Sequence, residues 1–328
     1  MKEILIRLFN QEKLTKNEAE EVLINIGSGK YSEPEIASFL TVYLMRSITP
    51  EELAGFRNAL LKLCIPVNLS EFNTIDVCGT GGDEKNTFNI STLTAFVLAG
   101  AGEKVVKHGN YGVSSACGSS NILEYFGYKF SNEESKLKAD LEKSGICYLH
   151  AQLFHPAMKH VGPVRKALKM KTFFNMLGPL VNPGSPKNQL VGVYNQEVLR
   201  LYSYVFRELD MNYAIVHSLD GYDEVSLTGD FRYVSNKAND TLSPESLGLK
   251  KVKKEDLFGG NTVEEAAKIF MDILEVNGTE AQNSAVVANA GLGIKCIHPE
   301  LSIKDSIQKA KESLESKKAL EAFKSLVN

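Results

Sequence analysis

The sequence predicts an α/β protein with a small all-helical domain at its N-terminus and a large domain built on a central, mostly parallel sheet flanked by helices. Residues 1–68 carry apolar residues at helical spacing and show no strand pattern. From residue 72 to residue 328, short β-branched runs alternate with helical stretches, an order that produces parallel strands covered by helices. A length of 328 residues also suits two domains.

The helices of the N-terminal part are predicted from an apolar stripe and from their start signals. Residues 4–9 give the first stripe, and each of the next three helices begins at a Ser or Thr followed three residues later by Glu. These capping signals are Thr15 with Glu18, Ser32 with Glu35, and Thr49 with Glu52. A break near residues 66–70 separates this part from the rest of the chain.

Four strands are predicted in the large domain, at NTIDVCG, EKVVKHG, QLVGVY and NYAIVHS. Helical patterns lie between them at about residues 90–101, 118–126, 131–144 and 196–208, and the tail is helical from Thr262 onward. The segment GPLVNPGSP, residues 178–186, is too rich in Pro and Gly for the interior of an element. It is predicted to connect the two domains.

Composition excludes several classes of protein. The net charge of −3 argues against bulk electrostatic binding of nucleic acid. We find no apolar run of membrane-spanning length and no signal peptide. The five cysteines are scattered and never form CxxC, which argues against a disulfide framework and fits a cytoplasmic protein. His155 and His160 lack a third ligand for zinc.

The loop after the first predicted strand reads Gly79-Thr80-Gly81-Gly82-Asp83, and a helix follows near Ile90. Glycines let backbone N–H groups approach a phosphate, and the start of the helix adds free donors. A turn followed by an ordinary helix cap would have the same composition. The loop after the second strand, Lys107 to Asn110, again combines a cation with glycine, and Ser-rich residues follow it. A solvated polar loop is the alternative there.

Two further features suggest partners for these loops. The string DGYDE places Asp223 and Glu224 after another strand, where carboxylates beside a phosphate would require a cation such as Mg²⁺. Arg165 follows a helix start predicted at Pro163 and could hold a carboxylate with two hydrogen bonds. An acidic surface turn and a solvated helix residue are the simpler interpretations. Together the features suggest displacement of pyrophosphate from an activated sugar.

The order of these strings resembles the anthranilate phosphoribosyltransferase family of tryptophan biosynthesis over about residues 1–325. The strings are DVCGTGGD, FNIST, KHGN, SS, HPAMKHVGPVRK, FFNMLGPLVNP, VGVY and DGYDE. The resemblance implies an Mg²⁺-dependent enzyme that transfers ribose 5-phosphate from phosphoribosyl pyrophosphate to anthranilate. It also implies a homodimer formed through the helical domain, which residues 160–178 would join, and an active site between the domains.

The resemblance carries site residues onto this chain. Those for phosphoribosyl pyrophosphate are Gly79, Gly82, Asp83, Thr87, Asn89, Ile90, Ser91, Thr92, Lys107, His108, Gly109, Asn110, Tyr111, Gly112, Val113, Ser114, Ser115 and Ser119. Those for magnesium are Ser91, Asp223 and Glu224, and those for anthranilate are Gly79, Asn110 and Arg165. No residue is assigned as an acid or base; Asn110, Arg165 and Lys107 would position the substrates.

The chain departs from the family's usual pattern at four positions. Tyr111 stands where the family has arginine, Cys117 where serine is common, Asn121 where aspartate is common, and Lys171 where arginine is common. Two alternatives remain at this point. A pyrimidine nucleoside phosphorylase would not need the Asp223-Glu224 pair for magnesium, and a non-catalytic nucleic-acid-binding relative should show a basic face.

Overall fold

The computed structural model describes residues 1–112 and 116–328. Its centre is a seven-stranded sheet, which confirms the predicted fold class. The strands are β1 (Thr74–Gly79), β2 (Lys104–Gly109), β3 (Ile146–His150), β4 (Asn188–Gly192), β5 (Asn212–Ser218), β6 (Phe231–Ser235) and β7 (Asn239–Leu242). They lie in the order β3-β2-β1-β4-β5-β6-β7. The first five are parallel, and β6 and β7 are antiparallel additions at one edge.

All four predicted strands are present, and the helices around them follow the predicted spacing. The first four helices are α1 (Lys2–Phe9), α2 (Lys16–Gly27), α3 (Glu33–Met45) and α4 (Pro50–Leu63). The next seven are α5 (Ile90–Gly100), α6 (Ser119–Tyr125), α7 (Glu134–Ser144), α8 (Ala151–Phe154), α9 (Met158–Leu168), α10 (Phe174–Leu177) and α11 (Gln196–Arg207). The last four are α12 (Val263–Leu274), α13 (Glu280–Ile297), α14 (Ile303–Glu315) and α15 (Lys318–Val327).

The predicted helix starts of the N-terminal part are confirmed by their hydrogen bonds. The Thr15 hydroxyl accepts from the Glu18 amide at 3.3 Å, and the Glu18 carboxylate accepts from the Thr15 amide at 2.8 Å. Thr49 and Glu52 form the same reciprocal pair. Each pair satisfies backbone donors that a helix start leaves free.

Residues far along the chain complete the core of the helical part. Val161 and Val164 of α9 belong to the same buried cluster as residues of α2, α3 and α4. The Phe173 ring stacks on the Phe56 ring of α4 with 4.5 Å between centroids. The segment around residues 158–173 therefore packs as part of the helical bundle, although it lies in sequence between strands of the sheet.

The segment 178–186 runs from α10 to β4 and is largely buried, unlike an exposed linker. The Asn182 side chain holds this segment against β2: its Nδ2 donates to the Val106 carbonyl at 2.9 Å, and its Oδ1 accepts from the Gly184 amide at 2.9 Å. Buried backbone needs such partners.

No helix in the described part of the chain is long and apolar enough to cross a membrane.

Candidate active site

The glycine loop after β1 lies directly against the acidic loop after β5. Gly81 and Gly82 have φ of +68° and +81°, which side chains other than glycine rarely adopt. The Gly81 amide donates to Oδ2 of Asp223 at 2.6 Å. Both loops follow the carboxyl ends of parallel strands, where open α/β sheets bind ligands. The predicted meeting of these two loops is therefore present.

Three acidic side chains converge at this contact. Burial raises the pKa of the Asp223 carboxyl to about 7, and the neighbouring charge of Asp83 adds to the rise. Burial also raises the pKa of Glu224, with the charges of Asp223 and Asp83 as further causes. Oδ2 of Asp83 is buried without a hydrogen-bond partner. Burying several carboxylates together is unfavourable unless a cation compensates their charge.

These oxygens suit a hard divalent cation. Mg²⁺ prefers carboxylate oxygens and usually keeps waters and substrate oxygens as further ligands. Within residues 1–112 and 116–328, no three His, Cys, Asp or Glu side chains are arranged to hold a metal ion by themselves. A magnesium ion at Asp223 and Glu224 would therefore need oxygens from a ligand or from water. The donor set fits an ion that arrives together with a phosphorylated substrate.

Two glycines make room for the acidic loop. A methyl group on Gly192 would overlap the Asp223 carbonyl oxygen, and one on Gly79 would overlap its carboxylate. Replacing Gly192 by alanine should therefore destabilise the protein by about 3 kcal/mol, because a packed backbone cannot move aside without strain. It should also weaken binding of a phosphorylated ligand at the glycine loop. Urea unfolding and calorimetry would measure both.

Gly229 provides the matched control, since a methyl group there would meet no atom within 4 Å. Gly229→Ala should leave both measurements close to those of the wild type. Equal stability of Gly192→Ala and Gly229→Ala would show that β4 does not hold the acidic loop in place.

The start of α5 presents some of its predicted residues to the site and buries others. Asn89 is the N-cap residue, and its amide donates to the Cys117 carbonyl at 3.1 Å. The side chains of Ile90 and Thr92 are buried in the core, and their amides already donate to the carbonyls of Phe88 and Asn89 at 2.6 and 3.1 Å. The Ser91 hydroxyl accepts from Nζ of Lys107 at 3.3 Å. The helix start therefore offers the Ser91 hydroxyl and the positive end of the helix dipole.

Lys107 lies beneath the glycine loop and is 2% exposed. Its ammonium donates to the Val77 carbonyl at 2.6 Å. Burial lowers its pKa, and the charge of Asp76 opposes that effect. Asp76 is itself fully buried, with a pKa raised to about 6 by burial. The sequence reasoning missed Asp76, although a carboxylate inside the apolar run TIDVCG was a signal for a buried charge pair.

The residues after β2 form a second loop beside the first. Oδ1 of Asn110 accepts from the Tyr111 amide at 2.9 Å. The Tyr111 hydroxyl donates to Glu124 at 3.1 Å, so the ring that replaces the family's arginine packs toward α6. Asn121 accepts from the amides of Gly112 and Gly118, both at 2.9 Å. Asn121 thus holds the two ends of the loop together.

Gly109 and Ser119, two further predicted residues, lie close together beside this loop. Gly109 permits close approach, since a methyl group there would overlap the Ser119 and Tyr148 hydroxyls. Those two hydroxyls share a hydrogen bond of 2.7 Å. Val113, Ser114 and Ser115 lie outside the described residues.

A pair of buried histidines, His108 and His155, lines the region behind the loop with ring centroids 5.2 Å apart. Nδ1 of His108 donates to the Gly178 carbonyl at 3.3 Å in the neutral ring. Burial lowers the pKa of His108 to about 3 and that of His155 to about 4. The sequence reasoning did not single out His155 for the site, and nothing in its spacing could have shown this contact.

These histidines should make the protein sensitive to acid. An unfolded histidine gains a proton as the pH falls below about 6.5, whereas folded His155 stays neutral down to about pH 4. The free energy of unfolding should therefore fall across this interval, by roughly 3 kcal/mol from His155 alone. Urea unfolding at several pH values measures the slope. Asp223 acts in the opposite direction, because its raised pKa favours the folded state at lower pH.

The variant His155→Gln separates these effects, since glutamine does not titrate. Its unfolding free energy should depend less on pH than that of the wild type between about pH 4 and 6.5. An unchanged slope would contradict the assignment of His155 as a buried neutral group.

Arg165 lies in the middle of α9 and not just after its start. The predicted start at Pro163 is wrong, because α9 begins at Met158 and contains Pro163. Proline usually clashes with the side chain of the preceding residue, and here that residue is Gly162. The Arg165 guanidinium lies 5.3 Å over the Phe174 ring and donates to Oδ1 of Asn175 at 3.3 Å. Among the described residues, no acidic side chain pairs with it.

The loop between β1 and α5 is tied to a segment far along the chain. Phe88 donates its amide to the Leu257 carbonyl at 3.1 Å, and Gly259 donates to the Asn86 carbonyl at 2.8 Å. The Asn86 side chain donates to the Gly260 carbonyl at 2.8 Å. The residues 86–88 are therefore held by residues 257–260.

One further contact holds the glycine loop. Nζ of Lys171 donates to the Gly82 carbonyl at 2.8 Å and pairs with Glu84 at the same distance. Since Lys171 follows α9, it links the helical bundle directly to the candidate phosphate loop. The sequence reasoning noted Lys171 as a departure from the family but assigned it no contact.

Family models match most of the chain. The helical bundle domain of a glycosyl transferase family matches residues 2–64, and the a/b domain of the same family matches residues 71–320. The chain is 58% identical to anthranilate phosphoribosyltransferase from Flavobacterium psychrophilum, over 99% of this chain and 98% of that protein.

Solved structures of such enzymes share the fold. The crystal structure of anthranilate phosphoribosyltransferase from Thermus thermophilus has a TM-score of 0.92 and 34% identity, over 98% of both chains. The enzyme from Saccharomyces cerevisiae in complex with phosphoribosyl pyrophosphate and Mg has a TM-score of 0.90 and 26% identity, over 98% of this chain and 95% of that one. These relatives favour neither the nucleoside phosphorylase alternative nor the nucleic-acid-binding one. The chain belongs to the anthranilate phosphoribosyltransferase family.

Proposed function

We propose that the protein transfers the ribose 5-phosphate group of phosphoribosyl pyrophosphate to the amine of anthranilate and releases pyrophosphate. This is the second step from chorismate towards tryptophan. The observation that carries the proposal is the contact between the glycine loop and the buried acids, with 2.6 Å between the Gly81 amide and Asp223. Backbone donors and carboxylates so close together suit a ligand that brings both phosphates and a cation.

Magnesium is the cofactor that we propose for this site. Asp223, Glu224 and the Ser91 hydroxyl are the groups that would hold it, and the raised pKa values of the two acids indicate that a positive charge beside them would be stabilised. When bound, the ion supplies charge that stabilises the departing pyrophosphate. The orphaned Oδ2 of Asp83 lies at the same cluster and suits a metal-bound water or a ribose hydroxyl.

The other residues of the site would contribute by binding and positioning the two substrates. The start of α5 carries partial positive charge, which would attract the phosphates of phosphoribosyl pyrophosphate. The Lys107 ammonium lies below them and adds a charge that does not need to move. An aryl amine is neutral at physiological pH, so anthranilate can attack the sugar carbon without a general base. Holding both substrates together and excluding water supplies much of the rate.

Anthranilate would lie near Arg165, Asn110 and Gly79. The Arg165 guanidinium has the planar donors that a carboxylate requires, and Asn175 and Phe174 hold it in place. His108, two residues before Asn110, is neutral at physiological pH because burial lowers its pKa to about 3, so it adds no charge that would compete with Arg165 for the carboxylate.

We also propose that residues 1–68, joined by about 160–178, form one domain and residues 72–328 the other, and that the protein is a cytoplasmic homodimer formed through the helical domain. The contact of Phe173 with Phe56 supports the joined segment.

Phe9 of α1 is 61% exposed and Met45 of α3 is 83% exposed, which supports an apolar contact surface for the dimer. Sedimentation of the wild type and of Phe9→Glu would test the dimer.

One assay tests the proposed activity. Purified protein with phosphoribosyl pyrophosphate, Mg²⁺ and anthranilate should consume the fluorescence of anthranilate and release pyrophosphate. Removing Mg²⁺ with a chelator should stop both signals. A stable anthranilate signal in the complete mixture would refute the proposal, whereas phosphate-dependent cleavage of a pyrimidine nucleoside would support the phosphorylase alternative.

A further inference from the structure

A second cavity lies at the opposite ends of the strands from the candidate active site. It has a volume of about 220 Å³ and is bordered by α4, by the segment before β4 and by the residues between α11 and β5. The amino ends of β4 and β5 border this cavity, whereas the glycine loop and the acidic loop follow the carboxyl ends of strands. The cavity is therefore separate from the proposed substrate site.

The cavity contains a guanidinium group without an anionic partner. Arg57 of α4 lines it, and its Nε is shielded from solvent without a hydrogen bond. Nη1 of Arg57 donates a long hydrogen bond of 3.4 Å to Oδ1 of the adjacent Asn58. Among the described residues, no acidic side chain pairs with Arg57, and burial lowers its pKa. Burying a charge in this way is costly unless a counter-charge is supplied.

Arg46 differs from Arg57 in having an acidic partner, although Nε of both residues is shielded without a hydrogen bond. The Arg46 guanidinium is also largely buried, and it donates to both oxygens of Glu52 at 3.0 and 2.5 Å. Arg165 is another shielded guanidinium without an acidic partner among the described residues, and there the proposed substrate supplies a carboxylate. Arg57 likewise lacks an anionic partner, but at a different cavity, and this observation does not depend on the proposed reaction.

The walls of the cavity define the chemistry of the anion that would fit. Leu61, Phe206 and Leu209 give it an apolar side. Asp210 lies on the exposed rim, and its charge disfavours a phosphate dianion next to a single guanidinium. A planar guanidinium pairs well with the two oxygens of a carboxylate. The fitting ligand carries one carboxylate and a compact apolar body.

We propose that this cavity is a second binding site, in which Arg57 holds the carboxylate of a small molecule with an apolar body. Simple carboxylic acids and apolar α-amino acids share this chemistry. An amino acid would also place its ammonium group near Asp210, whereas a simple acid would not use that side chain.

Binding to the full-length protein tests the proposal, with benzoate as the probe and benzamide as its neutral counterpart. Arg165→Met removes the guanidinium of the candidate active site, and Arg57→Met removes that of the second cavity. Calorimetry on Arg165→Met should still detect one benzoate and no benzamide. The further change Arg57→Met should weaken this benzoate binding at least about tenfold. Benzoate binding that is lost in Arg165→Met and kept in Arg57→Met, or no benzoate binding at all, would overturn the proposal.

Two further variants keep the test decisive if Arg57→Met does not fold and identify the kind of ligand. Arg57→Met should melt no lower than the wild type, because it removes a buried charge. If it does not fold, Leu61→Phe fills the cavity and keeps Arg57, and it should also abolish the benzoate signal that remains in Arg165→Met; a retained signal would overturn the site. Asp210→Asn distinguishes the sources. Weaker binding of L-phenylalanine with unchanged benzoate binding would support an amino acid ligand, and unchanged binding of both would support a simple acid.

Discussion

Replacing Glu224 by glutamine should lower kcat by roughly 100-fold, which corresponds to about 3 kcal/mol of lost transition-state stabilisation. Glutamine keeps the shape of the side chain but removes the charge that would hold magnesium. The stability of the metal-free protein should not fall, because burial and the neighbouring Asp223 and Asp83 already disfavour the ionised form of Glu224. The change should therefore damage activity while leaving the melting temperature equal or higher.

Activity assays at increasing Mg²⁺ and thermal unfolding without metal measure the two effects. Glu255→Gln is the matched control, since this glutamate is exposed and lies on the segment next to the glycine loop. It should change neither quantity. A Glu224→Gln enzyme with normal kcat and an unchanged magnesium requirement would remove Glu224 from the proposed metal site.

Replacing Arg165 by alanine should raise the KM for anthranilate by at least about tenfold and leave the KM for phosphoribosyl pyrophosphate little changed. The guanidinium is desolvated and has no acidic partner among the described residues, so its charge is available to a substrate carboxylate. Arg165→Lys should restore little, because an ammonium cannot match both carboxylate oxygens in one plane.

Steady-state kinetics with each substrate varied in turn separates these outcomes. Lys166→Ala, on the exposed side of the same helix, serves as the control for general damage to α9. If both KM values rise together in Arg165→Ala, the side chain orients the domains and does not contact the carboxylate.

The sequence predicted the elements whose residues identify them locally. The capping pairs at Thr15 and Thr49 depend on neighbours three residues away, and the β-branched runs of β1, β2, β4 and β5 end at glycine or polar residues. The run ICYLH of β3 was missed, since Gly145 alone separates it from the preceding helix. The strands β6 and β7 were also missed, because the run FRYVS of β6 is only five residues long and NDTL of β7 is a short polar edge strand with a weak pattern.

The candidate site was predictable as a set of loops but not as a set of contacts. The glycine loop and the acidic loop were chosen because each follows a predicted strand, and open α/β sheets bind ligands at the carboxyl ends of their strands. The burial of Lys107 against Asp76, the hold of Lys171 on Gly82 and the lack of an acidic partner for Arg57 among the described residues depend on side chains that are distant in sequence. No local pattern encodes such distances, so these features required the folded chain.

The tie between residues 86–88 and residues 257–260 has a consequence for how the protein matures during translation. The nascent chain can form β1 and β2 soon after they leave the ribosome, but the loop at Asn86 gains its partners only once Gly260 has emerged. Contacts between such distant residues form late, because the intervening chain must first be closed into a loop. A ribosome-bound chain that ends before residue 257 should therefore possess its helical bundle and yet fail to retain the sugar diphosphate.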